Sequence, residues 1–135
     1  MNPTLRNIIA VLTGLILGNL VNMGLIMLSS SIIPPPSGYD NTSIEGLKAT
    51  MYLLEPKHFI FPFLAHAFGT LVAAFIASKI AANNQLKLSI VIGVLFLLAG
   101  ISMVAMIPSP LWFSIIDLVG AYLPMAYVGW KLSGK

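Results

Sequence analysis

Residues 59–82 read FIFPFLAHAFGTLVAAFIASKIAA. The stretch is longer than the ~20 residues that carry a helix across a ~30 Å hydrocarbon core. It has no broad polar face, so it is not the amphipathic helix of a soluble bundle. Backbone groups surrounded by lipid must be bonded internally, which leaves a helix as the only reading. With His58 at its edge, the span is placed at about residues 58–82.

Three more stretches share the pattern, at about residues 5–28, 86–107 and 111–132. The predicted fold class is an all-α integral membrane protein. Four transmembrane helices form an up-down antiparallel bundle and a single domain over residues 1–135. Composition points the same way. Of 135 residues, 58% are hydrophobic and 8% charged, against roughly 25% charged in an average soluble domain. Eleven charged side chains cannot cover the surface of a soluble domain of this size. That argues against a soluble globular protein and a disordered segment. The net charge of +3 rests on seven basic residues that form no patch, so no nucleic-acid partner is expected.

Cysteine is absent, which removes disulfides, thiolate zinc sites, iron–sulfur clusters and cysteine catalysis. The first stretch carries Arg6 ahead of Ile8–Leu12, like a secretory leader. It is longer than a usual leader core and no A-x-A site follows, so it is read as a retained span.

The basic residues orient the bundle. Arg6, Lys79, Lys87, Lys131 and Lys135 fall on one side; Lys48 and Lys57 fall on the other. Lys and Arg favour the inner side, so both termini are expected inside, in a bacterial inner membrane with cytoplasmic termini. Trp112 and Trp130 stand eighteen residues apart in the last span, about 27 Å of helix. That matches the spacing of two interfacial aromatic anchors.

Asn83-Asn84-Gln85 and Pro108-Ser109-Pro110 read as tight turns. The first connection is longer. Pro34-Pro35-Pro36 leaves the membrane extended, and Asn41-Thr42-Ser43 offers caps for a short interfacial helix at about residues 44–54. Ile44, Leu47, Met51 and Leu54 share one face of it. Pro124 should kink the fourth span by removing a hydrogen bond to Gly120.

Small residues suggest how the helices pack. Ala65, Gly69, Ala73, Ala77 and Ala81 recur every four residues, and Gly14 and Gly18 repeat the spacing in the first span. Close backbone approach holds membrane helices together, so these two rows are expected to face each other. The same row could also serve a second copy of the chain or a larger membrane complex.

Intramembrane polar groups are costly and mark candidate sites. Asn22, His66 and Asp117 lie on three spans at similar depth in the outer half. We treat them as a candidate polar site, with Glu55, Lys57 and His58 at its mouth. His66 and Asp117 can exchange a proton, bind an ion or simply bond two helices together. His58, His66 and Asp117 also form a remote candidate metal set, although no cofactor or metal is expected.

Nothing resembles a nucleotide loop, a nucleophile elbow or a zinc-protease helix. Chain length and the four-span layout are similar to those of the small multidrug exporters. The first helix of those proteins carries a carboxylate and the first span here has none, so the similarity ends at size and topology. The first expectation is therefore a non-enzymatic membrane subunit or scaffold protein, in contact with membrane lipids. The alternative is a small transporter or channel-like protein with an outward polar pocket at Asn22, His66 and Asp117. A third is a membrane enzyme acting on a lipid or quinone.

Overall fold

The computed structural model describes residues 1–107 and 109–135. Pro108, in the predicted turn before the fourth span, lies outside them. The described residues are helical, with no strand among them. Helix α1 covers Pro3–Ile32, α2 Ile44–Thr50, α3 Ile60–Ile80, α4 Gln85–Met106, α5 Leu111–Gly120 and α6 Leu123–Leu132. Four helical stretches are long and apolar enough to cross a membrane: Pro3–Ile32, Pro56–Ile80, Gln85–Met106 and Leu111–Leu132.

Local chemistry explains the boundaries. Asn2 caps α1, its side-chain oxygen accepting from Thr4 N–H at 2.7 Å, and Pro3 fills the first helical position. At 30 residues α1 is about 45 Å long, well past the ~30 Å of a hydrocarbon core. Ser43 caps α2 through Gly46 N–H at 2.9 Å. The predicted helix at 44–54 stops sooner: α2 ends at Thr50 and a 3₁₀ turn follows over Met51–Leu53. Beyond that turn Leu54 is extended, and Pro56 holds the preceding Glu55 extended as well. A second 3₁₀ turn, Pro56–Phe59, leads into α3. Asn84, with φ of 56°, makes the left-handed turn into α4.

The fourth span is broken rather than merely bent. Between α5 and α6, Tyr122 adopts φ −110° and ψ −78°. Pro124 lacks the N–H that would continue the helix across this point.

Small residues set the packing. An added Cβ at Gly14 would lie 2.5 Å from the Ala73 carbonyl oxygen, and one at Gly18 2.5 Å from that of Gly69. The two backbones therefore touch, with residue numbers rising along α1 as they fall along α3. Asn7 extends this register to the bundle end, donating to Asn83 Oδ1 at 2.8 Å and accepting from Ala82 N–H at 2.9 Å. On its other side α3 meets α6, where Gly129 sits against Leu71 and Ala74. Helix α4 joins α6 through Gly93 against Leu123 and Ala126. Val11, Leu15 and Phe96 pack on a buried cluster of Ala73, Ala77 and Ile92. Ile16, Leu98 and Val119 are exposed on the outside of the bundle. An apolar exterior on an apolar bundle fits lipid as its solvent.

Candidate functional site

A cavity of about 440 Å³ opens between the helices and the loop that follows α1. Helix α1 lines it with Asn19, Asn22 and Ile26, and α4 with Phe96, Gly100 and Val104. His66 and Gly69 come from α3, and Phe113, Ser114 and Asp117 from α5. Tyr39, Leu47, Met51 and Leu54 of the connection close over it. Three residues of the predicted apolar face of the short helix thus reach the cavity, while the fourth, Ile44, is exposed.

The helices aim the polar groups inward. Ala65 and Gly69 lie on the side of α3 turned to α1, whereas Ala67 packs on Ala121 and Tyr122. His66 is about 100° round the helix from each neighbour, so it projects between these two faces. Phe113, Ser114 and Asp117 form the buried face of α5.

His66 and Asp117 meet directly. Nδ1 of His66 lies 2.8 Å from Oδ1 and 3.0 Å from Oδ2 of Asp117. Tyr122 donates its hydroxyl to Oδ2 at 3.3 Å and stacks its ring on that of His66, with centroids 5.8 Å apart. Asp117 is only 4% exposed, whereas the His66 side chain is 31% exposed. The carboxylate is therefore the buried member of the pair and the imidazole the accessible one. Thr70 ties the backbone below, donating to the His66 carbonyl at 2.8 Å.

Asn22 sits against Gly69 in the same wall. Among the described residues, Asn22 Oδ1 and Ser114 Oγ are buried side-chain atoms with no hydrogen-bond partner. Leaving such a group unpaired costs about 1–3 kcal/mol.

The three residues predicted for the mouth separate. His58 lines the cavity, but Glu55 and Lys57 pair with each other at 3.5 Å on the exposed surface. His58 is held at both ring nitrogens. Its Nδ1 accepts from Glu55 N–H at 2.8 Å, so its Nε2 carries the hydrogen and donates to the Pro34 carbonyl at 3.2 Å. Among the described residues, no group of three His, Asp or Glu stands close enough to hold a metal ion.

Two groups of the covering loop have shifted acidities. Burial raises the Tyr39 hydroxyl above its ordinary range. Hydrogen bonds from the Thr42 hydroxyl and N–H hold the Asp40 carboxyl below its own. A second hollow near the chain start, lined by Pro3, Asn7, Asn84 and Leu88 among others, has no titratable side chain in its wall.

Tyr122 and Ser114 escape the sequence reading. Tyr122 is five residues past Asp117, the wrong spacing for one face of a continuous helix, and reaches it only through the break before α6. Ser114 is one turn before Asp117, a spacing visible in the sequence but unremarkable in an apolar span. The buried Ser78–Ser89 pair, 2.8 Å apart, is equally inconspicuous among apolar residues.

No protein-family model matches this chain, and no curated protein or solved structure matches it significantly.

Proposed function

We propose that this chain is a small integral membrane protein that binds a small molecule in the cavity around His66 and Asp117, in the manner of a transporter or channel-like protein. The carrying observation is that the two residues bond to each other and also border open space. A purely structural His–Asp contact needs no cavity beside it. About 440 Å³ falls within the ordinary range of small-molecule pockets, which are mostly apolar with a few convergent polar groups. For this reason the pocket reading stands ahead of a non-enzymatic subunit or scaffold.

In this reading the four spans form one domain, with lipid around the exposed apolar faces. Both termini lie on the inner side, following the excess of Lys and Arg there. The cavity and its covering loop then face outward, and a bacterial inner membrane suits the layout.

The lack of cysteine allows a direct test. A Val104→Cys variant places one thiol in the cavity wall, and Leu98→Cys places one on the exposed outer face of α4. A membrane-impermeant methanethiosulfonate added outside should modify Val104→Cys at least tenfold faster. Equal rates, or no reaction of Val104→Cys until the chain is denatured, would remove the pocket reading.

A further inference from the structure

We propose that the cavity selects a protonated amine carried on an apolar body, with the cation held at the His66–Asp117 pair. This assignment rests on the pocket reading and adds the chemical class of the guest.

Charge is the first argument. The cavity wall contains one carboxylate, Asp117, and neither Lys nor Arg. An anionic guest would meet a buried carboxylate with no cation to receive it. A phospholipid headgroup fails on the same ground, since its phosphate would meet no Lys or Arg in the wall.

Hydrogen-bonding capacity is the second. An ionised Asp117 accepts only, so Nδ1 of His66 carries the hydrogen that joins them. In the neutral ring Nε2 is then left as an acceptor. Asn22 and Ser114 also border the cavity, and each can accept a hydrogen bond. Asp117 and the neutral His66 ring thus present acceptors at one point of the wall, and an ammonium group supplies three donors.

The third argument is the apolar remainder. Phe59, Phe96, Phe113 and Tyr122 border the cavity. Aromatic faces accommodate both an apolar body and a desolvated cation.

The test uses the full chain carrying Val104→Cys in phosphatidylglycerol nanodiscs, modified with a neutral methanethiosulfonate. Phenethylamine and 3-phenylpropionate, similar in size and opposite in charge, are compared as protectants at millimolar concentration. Phenethylamine should slow modification at least threefold and 3-phenylpropionate should not. Adding Asp117→Asn should abolish the protection while modification continues. Protection by both compounds, by the acid alone or by neither overturns the proposal, as does protection that survives Asp117→Asn. If Asp117→Asn does not fold, the amine-against-acid comparison decides alone. Equal protection from phosphatidylethanolamine in the disc would reassign the site to a lipid headgroup and overturn the free-amine proposal. Failure of Val104→Cys to react at all would instead strike the pocket reading.

Discussion

A glycine in a membrane helix is informative when something occupies the space its side chain would need. Gly18 is such a residue, because a Cβ there would collide with the backbone of α3. Gly24 lies on the same helix with nothing within 4 Å. Gly18→Val should therefore destabilise the folded chain by about 1–3 kcal/mol, the usual cost of overpacking. Gly24→Ala should be neutral or stabilising, by up to ~1 kcal/mol from helix propensity. Denaturant unfolding in mixed micelles separates the two, and a fully stable Gly18→Val would mean that α1 is not seated on α3. His66 and Asp117 are read at this same scale. Ionisable side chains stand out against an apolar background, which is why the sequence singles them out. Serine does not stand out, so the Ser78–Ser89 contact becomes visible only when α3 and α4 are set side by side.

Between the first two spans, the elements depend on small local bonds. Asp40 accepts from the Thr42 hydroxyl and N–H, and Thr50 Oγ1 accepts from Asp40 N–H at 2.9 Å while donating to the Gly46 carbonyl at 2.7 Å. His58 ties the end of this connection back to its beginning at Pro34. His58→Ala should raise amide exchange across residues 34–58 roughly tenfold, as expected for the loss of two modest hydrogen bonds. Hydrogen–deuterium exchange by mass spectrometry checks this. Unchanged protection would show that apolar packing of Leu47, Met51 and Leu54 holds the segment without His58.

The long apolar helices were legible because spans of this kind need only length and composition. The short helix was legible from Ser43 and its apolar spacing, but its end was not, since nothing in the residue types at Thr50 and Met51 marks the change from α to 3₁₀ winding. The break before α6 was only half legible. Pro124 announces a disturbance, but not that it separates two helices and brings Tyr122 onto Asp117.

Across the whole molecule, polarity is unevenly distributed. The cavity near the covering loop is lined by titratable groups, His66 and Asp117 among them, and the hollow at the other end has none in its wall. If the end richer in Lys and Arg lies inside, as proposed, this asymmetry points the cavity outward. Asn41→Cys, in the covering loop, should react with an impermeant thiol reagent in intact cells. Asn84→Cys, in the turn between α3 and α4, should react only after the membrane is opened. The reverse pattern would invert the orientation and turn the cavity inward.

One further consequence concerns time rather than affinity. The two ends of the segment over the cavity are tied to each other by one bond, from His58 Nε2 in its last turn to the Pro34 carbonyl at its start. If the pocket reading holds, a guest passing beneath it would wait for the His58–Pro34 bond to break, and would wait again to leave. His58 would then act as a latch, setting residence time while leaving equilibrium occupancy to the groups below.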